Sequence, residues 1–174
     1  MDLKDVNADL EVEKKLLSAL MLDGGSAIAQ VSDKLTANDF YRPAHGDVYR
    51  ALLTLGDRGE PVDVILVMNE LKRMDKLDKT GREYVLRLVD YEYTTARVPQ
   101  YVDIIKHHAK IRRLIEIGRT LAIDAHNEVY SVEDLIATAE SGLTALQGGE
   151  IENVESASEV LLRTVKTGYK KSRG

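Results

Sequence analysis

The sequence predicts an all-α protein: a small multi-helix head, a long antiparallel helical hairpin, then a linker and a separate amphipathic helix. Three observations predict this class. Apolar residues recur at helical spacing along most of the chain, Gly and Pro fall between these runs, and only Gly118 interrupts the stretch from Tyr101 to His126. That stretch is long enough for one helix of about 26 residues, about 39 Å in length.

The head, residues 1–97, begins with an amphipathic helix that follows Asp9. Asp9 is placed to cap this helix, and Gly24 and Gly25 are placed to end it. Ser26 is placed to cap a second, short helix. The residues that fall near one side of the first helix are mainly apolar and include one carboxylate: Leu10, Glu13, Leu16, Leu17, Leu20 and Met21.

Two further helices are predicted in the middle of the head. Pro43 stands at a favourable first helical position, and Gly56 and Gly59 break the pattern that follows it. Asp63 is a good cap for the run VILVMNELKRM. This run contains β-branched residues that would also suit a strand, so a helix is preferred and a strand stays open as the alternative. Another short helix is expected after Gly81.

Residues 98–147 form the predicted hairpin. On its first helix the apolar residues cover an arc of about 160°, whereas one packed neighbour needs only about 100°. The surplus must be buried by the head or by another chain, and the sequence alone leaves both options open. Exposed apolar surface of this kind is typical of interfaces. The candidate oligomer interface consists of Ile111, Leu114, Ile115, Leu121, Leu135 and Leu143.

A polar linker is predicted at residues 148–157, and a last amphipathic helix at 158–174. Ser158 is placed to cap this helix, and its basic residues come late, as the helix dipole favours. The helix is difficult to accommodate in the same core, so we expect it to dock on another domain. Its predicted docking face consists of Val160, Leu161, Leu162, Val165 and Tyr169.

Composition excludes several classes of function. The chain of 174 residues has no Cys, which excludes disulfides and thiolate metal sites, and a net charge of -5 argues against a domain that holds nucleic acid over its whole surface. No apolar run approaches the roughly 18 residues that a membrane-spanning helix needs. We therefore expect a cytoplasmic protein that contacts DNA only indirectly and does not contact a membrane.

Sequence motifs give no catalytic, cofactor-binding or metal-binding site. A GxxxxGK[ST] phosphate loop is absent, so the sequence predicts no ATP hydrolysis by this chain. His107 and His108 point about 100° apart on a helix and cannot share a metal as an i, i+4 pair could. His45 is expected to be a hydrogen-bonded packing residue, with a ligand or a base as the alternative. Tyr91 and Tyr93 could stack on bases, although core packing or an interface is the preferred interpretation, because interleaved basic residues are absent there.

One basic cluster could bind an anion or a protein partner. Lys106, Lys110 and Arg113 recur at helical spacing on the first helix of the predicted hairpin. The alternative, which the sequence favours, is an ordinary solvated helix face.

The order of these segments resembles a known family. The succession EVEKKLLSALMLD, LTANDFYRPAHGDVYRALLTLGDRGEPVDVILVMNELKRMDKLD, GREYVLRLVD and ARVPQYVDIIKHHAKIRRLIEIGRTLAIDA is similar to the amino-terminal domain of bacterial and phage replicative DNA helicases of the DnaB family. The resemblance covers about residues 9–171. It implies that Phe40, Tyr41, His45 and Tyr49 are packing residues of the head.

The resemblance also implies a function without catalysis. In the family, hairpins of neighbouring subunits pair, and six copies form a collar above the motor ring as a trimer of dimers. The expected partners are therefore a second copy of the chain, a primase, a helicase loader and the adjacent motor domain, which the last helix would reach. The parent protein would be an ATP-dependent DNA helicase of a bacterium or of a phage in its host cytoplasm, with ATP and Mg bound only in a motor domain that is absent here.

Two interpretations of function stay open. The preferred one is the oligomerisation and partner-docking region of a hexameric replicative helicase, acting in DNA replication and primosome assembly, with this chain as a fragment of it. The alternative is a free-standing regulator that mimics this region and binds a helicase, a primase or a loader. A helix-turn-helix DNA-binding protein is disfavoured by the acidic charge and by the lack of a basic recognition helix.

Overall fold

The computed structural model describes residues 9–91, 94–127 and 130–148, and every regular element in them is helical. The all-helical class predicted from the sequence is confirmed. Two compact units divide between Ala109 and Lys110. The helices are α1 (Leu10–Leu22), α2 (Ile28–Val31), α3 (Pro43–Asp57), α4 (Val64–Arg73), α5 (Leu77–Thr80), α6 (Arg82–Leu88), α7 (Val98–His126) and α8 (Val132–Gly148), with 3-10 turns at Ala37–Asp39 and Thr95–Arg97.

Of the four predicted helix caps, those at Asp9 and Asp63 are present, and the one at Ser158 lies outside the described residues. The Asp9 carboxylate accepts a hydrogen bond from the backbone N–H of Val12 at 3.1 Å, and the Asp63 carboxylate accepts one from Leu66 at 2.8 Å. The predicted cap at Ser26 is wrong. The Asp23 carboxylate instead accepts the backbone N–H of Ala27 at 2.7 Å, just before α2 begins, while the Ser26 hydroxyl donates back to the Asp23 carbonyl.

The β-branched run after Asp63 forms helix α4, so the strand alternative is wrong. Val67, Met68 and Leu71 are buried, whereas Ile65 is 54% exposed. A spacing of three and four residues is the periodicity of one helix face and does not fit the alternation of a strand. Burial of this face in the core outweighs the small intrinsic preference of β-branched residues for strands.

Helix α3 occupies the centre of the first unit. It packs against α1, α2, α4, α5 and the Ala37–Asp39 turn. α3 approaches the Ala37–Asp39 turn closely at Gly46, where a Cβ would lie 2.5 Å from the Ala37 carbonyl oxygen. The apolar core around α3 contains, among others, Leu16, Leu17, Leu20, Leu35, Val48, Tyr49, Leu52, Leu55, Leu71, Val85 and Leu88.

Helix α7 begins at Val98, three residues before the predicted start, with Pro99 at its second position where a missing N–H is tolerated. Its first turns belong to the core of the first unit, because Val98, Val102 and Ile105 are buried there.

In the second unit, Gly142 of α8 approaches Ile117 of α7 so closely that a Cβ on the glycine would lie 3.1 Å from Ile117 Cδ1. The two residues are about equally far from the turn between the helices, as an antiparallel pair requires.

Candidate interaction surfaces

A buried polar cluster joins three helices of the first unit. Glu13 of α1 and His45 of α3 are buried, and His45 Nδ1 lies 2.6 Å from Glu13 Oε2. The other ring nitrogen, Nε2, lies 2.5 Å from the hydroxyl of Tyr84 on α6. Glu13 also accepts the backbone N–H groups of Tyr41 at 2.6 Å and Arg42 at 3.5 Å. Every polar atom of the His45 ring therefore has a partner, as expected for a packing histidine.

The hydrogen-bond roles in this cluster follow from the chemistry of its groups. A carboxylate can only accept, so His45 donates to Glu13 through Nδ1, and in a neutral ring Nε2 is then the acceptor for the Tyr84 hydroxyl. Burial raises the pKa of Tyr84, against the opposing effects of Arg42 and Lys14, so the hydroxyl keeps the proton that it donates. The cluster is a hydrogen-bonding framework, with no nucleophile beside it among the described residues.

The remaining packing residues implied by the resemblance also lie in or beside the core. Phe40 and Tyr49 are buried, and their ring centroids lie 5.1 Å apart. The Tyr49 hydroxyl donates to the carbonyl oxygen of Leu35 at 3.1 Å. Tyr41 is half-buried.

Sequence reasoning missed Glu13 and Tyr84 as the partners of His45. A signal for Glu13 was present, because it is the one carboxylate on the apolar side of the first helix. A charged residue in that position needs a buried partner. No comparable signal existed for Tyr84, because a tyrosine on an amphipathic helix fits ordinary packing equally well.

The second unit has no buried side chain within residues 110–127 and 130–147. Several of its large apolar residues are strongly exposed: Leu114 is 49% exposed, Leu143 is 44%, Ile136 is 53% and Val132 is 66%. We call these four residues the exposed strip. Scattered exposed apolar residues are ordinary, so their arrangement around the two helices decides whether they form one surface.

Helix geometry places all four residues of the exposed strip on the same side of the pair. Ile117 faces α8, and Leu114 lies about 60° from it around α7 in the direction of increasing residue number. Gly142 faces α7, and the α8 members of the strip lie about 80–120° from it in the same rotational sense. Because the helices are antiparallel, equal rotational senses turn both sets of residues to one side. The four residues of the exposed strip therefore face the same side of the helix pair.

The structure separates the six candidate interface residues into two groups. Leu114 and Leu143 belong to the exposed strip. Leu135 lies only about 20° from Gly142 and Leu121 about 40° from Ile117, so both point towards the other helix of the pair. Ile111, Ile115, Leu121 and Leu135 are half-buried.

The predicted basic cluster lies on the described part of α7. Lys110 is exposed, and Lys106 and Arg113 are half-buried. Arg113 takes part in interactions with other residues, so the cluster is not a set of three free cations. The predicted docking face of the last helix, Val160, Leu161, Leu162, Val165 and Tyr169, lies outside the described residues.

Among residues 9–91, 94–127 and 130–148, no group of three His, Cys, Asp or Glu side chains is arranged to hold a metal ion. The same part of the chain has no helix that is long and apolar enough to cross a membrane.

The fold and these surfaces define a class of protein: a helical interaction module with a tightly packed head and an exposed apolar face on a second unit. Comparison with known proteins gives the family. The family model of the DnaB-like helicase N terminal domain matches residues 5–107 of this chain. The chain therefore belongs to the family of DnaB-like helicase N-terminal domains.

Individual relatives agree with this family. The chain is 34% identical to the replicative DNA helicase DnaC of Bacillus subtilis (strain 168), over 90% of this chain and 35% of that protein. It is 31% identical to the replicative DNA helicase DnaB of Geobacillus stearothermophilus, over 89% of this chain and 34% of that protein. The chain thus spans about a third of the length of the curated relatives that it matches.

A solved structure shares the fold. The N-terminal domain of DnaB helicase from Mycobacterium tuberculosis superimposes with a TM-score of 0.72 and 34% sequence identity, over 79% of this chain and 98% of that chain.

Proposed function

We propose that this chain is the non-catalytic oligomerisation and partner-docking region of a hexameric replicative DNA helicase, acting in DNA replication and primosome assembly in the cytoplasm. The observation that carries the proposal is the exposed strip of Leu114, Val132, Ile136 and Leu143, taken together with membership of the DnaB-like N-terminal domain family. The family match supports this function over that of a free-standing regulator.

The exposed strip suits self-association because of the symmetry of a closed dimer. A closed dimer uses the same surface on both copies, so an apolar strip can meet its own counterpart without needing a complementary partner. Burying large apolar side chains contributes about 1.5 to 3 kcal/mol for each one that becomes fully covered. Dimers formed in this way can combine three at a time into a ring of six copies.

Gly118 adds to this argument. It lies on the same side of α7 as Leu114, about 40° away around the helix, and a Cβ there would have no described atom within 4 Å. Glycine inside a helix costs about 0.5 to 1 kcal/mol relative to alanine. The contacts within the described chain give no reason for that cost, whereas close approach by a second copy does.

Other partners belong to the same proposal. Lys106, Lys110 and Arg113 are the candidate contact for a primase or a helicase loader. The face formed by Val160, Leu161, Leu162, Val165 and Tyr169 is the candidate contact for the adjacent motor domain. ATP and Mg belong to that motor domain, and DNA is contacted only indirectly by this region.

Sedimentation of two matched variants tests self-association. Leu114→Glu places a charge in the strip, so an interface that buries it must weaken, and the chain should shift towards monomer. Ile123→Glu is the control, because Ile123 is 52% exposed but lies about 180° from Leu114 around α7. A wild-type chain that stays monomeric at high micromolar concentration contradicts the proposal, and so do equal effects of the two variants.

An ATPase assay tests the absence of catalysis. The chain should show no turnover with ATP, Mg and single-stranded DNA. Turnover in the range of about 1 to 10³ per second that is usual for enzymes, persisting through repurification, would show that the chain is itself catalytic.

A further inference from the structure

Arg42 is held at both its backbone and its side-chain end by the buried polar cluster of the first unit. Its backbone N–H donates to Glu13 Oε2 at 3.5 Å, beside the 2.6 Å hydrogen bond from Tyr41 N–H to Glu13 Oε1. Its guanidinium carbon lies 4.1 Å from the centroid of the Tyr84 ring. The Arg42 side chain is nevertheless exposed at the surface.

The two ends of Arg42 are joined through buried atoms. Tyr84, which carries the guanidinium on its ring, is hydrogen-bonded through its hydroxyl to His45 Nε2, and His45 Nδ1 contacts the same Glu13 that receives the Arg42 N–H. The contacts form a closed loop from Glu13 through Arg42, Tyr84 and His45 back to Glu13. An arginine side chain normally loses much rotational freedom when it binds a ligand, and here the fold has already removed part of that freedom.

Three other arginines of the first unit each pair with a carboxylate, whereas Arg42 does not do so within the described residues. Arg50 pairs with Asp47 at 2.9 Å, Arg87 pairs with Glu83 at 3.0 Å, and Arg58 pairs with Glu70. Within the described residues, Arg42 contacts the Tyr84 ring and forms no ion pair. The chain contains 29 carboxylate residues and 24 Lys and Arg, so an exposed arginine without a carboxylate is not explained by a shortage of acids.

The Tyr84 ring meets Arg42 over its face, 4.1 Å from the guanidinium carbon, and a cation held over a ring in this way keeps N–H donors for a further partner. The N–H donors of arginine lie in the guanidinium plane and match the two oxygens of a carboxylate in a bidentate pair. From this geometry we infer that Arg42 is a pre-positioned binding site for a carboxylate in an acidic segment of a partner protein. This site belongs to the first unit, whereas the exposed strip belongs to the second.

The surrounding charges favour a protein carboxylate over nucleic acid. Binding a nucleic-acid backbone requires several clustered cations, because each phosphate contact adds only a small share. Lys14 is the other cation that acts on Tyr84, and its ammonium lies 2.7 Å from the Glu11 carboxylate. The single guanidinium of Arg42 can pair with one protein carboxylate, but it does not supply the cluster of cations that a nucleic-acid backbone requires.

A titration followed by NMR tests the site on the full chain. The probe is a capped hexapeptide with three Glu residues, and its counterpart has Gln in their place. The Nε–H resonance of Arg42 should shift with the Glu peptide at least three times as far as that of Arg50, which is already paired with Asp47, and should stay in place with the Gln peptide.

Two variants separate positioning from charge. Arg42→Lys keeps the charge but loses the planar guanidinium, whose N–H donors form the bidentate pair. Affinity for the Glu peptide should therefore fall about fivefold. Tyr84→Phe keeps the ring and loses the hydrogen bond to His45, so affinity should fall about twofold to threefold while thermal unfolding shows a folded chain. Equal shifts at Arg42 and Arg50, unchanged affinity in Arg42→Lys, or tighter binding of an oligothymidine than of the Glu peptide would each overturn the inference.

Discussion

His45 and Glu13 are 32 residues apart in the sequence and meet through a 2.6 Å contact between Nδ1 and Oε2 inside the first unit. Their contact ties α3 to α1, and the further hydrogen bonds of Glu13 to the backbone of Tyr41 and Arg42 fix the turn that leads into α3. One buried carboxylate therefore serves three donors. A group with so many buried partners is costly to change, because each donor that loses its acceptor remains desolvated.

Glu13→Gln should destabilise the first unit by about 1 to 3 kcal/mol, because the amide can accept on one side only and leaves a buried donor unsatisfied. Chemical denaturation followed by circular dichroism measures the change. Glu11→Gln is the matched control: Glu11 is exposed and pairs only with Lys14, so its loss should cost less than about 1 kcal/mol. Equal losses in the two variants would contradict the role given to Glu13.

The sequence was sufficient for the features that local rules determine. Helix α4 illustrates this, since the Asp63 cap predicted it correctly. It was insufficient where two segments far apart in sequence meet, as His45 and Tyr84 do. The cap at α2 failed for a related reason: Asp23 and Ser26 both precede the helix, and only the path of the turn decides which side chain reaches the free N–H.

The candidate interface residues show the same division between local pattern and tertiary arrangement. The width of the apolar arc on α7 is a property of one helix, and the sequence predicted it. Which residues of that arc remain outward depends on where α8 lies against α7, which the contact between Gly142 and Ile117 determines. Leu114 and Leu121 are both good interface candidates by pattern, and only this contact distinguishes them.

The cap of α4 gives a test of helix-end chemistry. Asp63→Ala removes the acceptor of the Leu66 N–H and should cost about 0.5 to 2 kcal/mol of unfolding free energy, whereas Asp63→Asn should retain most of the stability. Ser26→Ala should change stability by less than about 0.5 kcal/mol, because Ser26 caps no helix. Thermal unfolding of the three variants measures these differences. A larger loss in Ser26→Ala than in Asp63→Ala would restore the original prediction for α2.

Alkaline pH should destabilise the first unit through its buried tyrosines. Burial is the main cause that raises the pKa of Tyr49, with the carboxylates of Asp39 and Asp33 adding to it, and burial also raises the pKa of Tyr84. A raised pKa in the folded state means that the unfolded chain loses these protons first. The stabilisation is fully present below the ordinary tyrosine pKa of about 10 and is lost as pH rises above it.

Tyr49→Phe tests this pH dependence. At pH 7 the variant should lose about 0.5 to 1.5 kcal/mol, because the hydroxyl no longer donates to the Leu35 carbonyl. Above pH 10 its stability should decline less steeply than that of the wild type, so the difference between the two proteins should shrink. Denaturant midpoints measured from pH 7 to 11 follow both proteins, and parallel curves over the whole range would rule out Tyr49 as a source of the alkaline sensitivity.

Two helical glycines should respond to alanine in opposite ways. At Gly46 a Cβ would lie 2.5 Å from the backbone oxygen of Ala37. Backbone cannot move aside as a flexible side chain can, so Gly46→Ala should cost about 1 to 3 kcal/mol as an overpacked contact. At Gly118 a Cβ would meet no described atom within 4 Å, and alanine should stabilise the dilute monomer by about 0.5 to 1 kcal/mol through helix propensity.

The comparison is made by thermal unfolding at a concentration where sedimentation shows a monomer, and association is measured separately at higher concentration. If Gly118 lies where two copies approach closely, Gly118→Ala should weaken association even though it stabilises the monomer, because the added methyl group holds the two α7 helices apart. A variant that is both more stable and equally well associated would show that Gly118 lies away from the contact. The pairing surface would then be limited to the neighbourhood of Leu114 and the α8 residues Val132, Ile136 and Leu143.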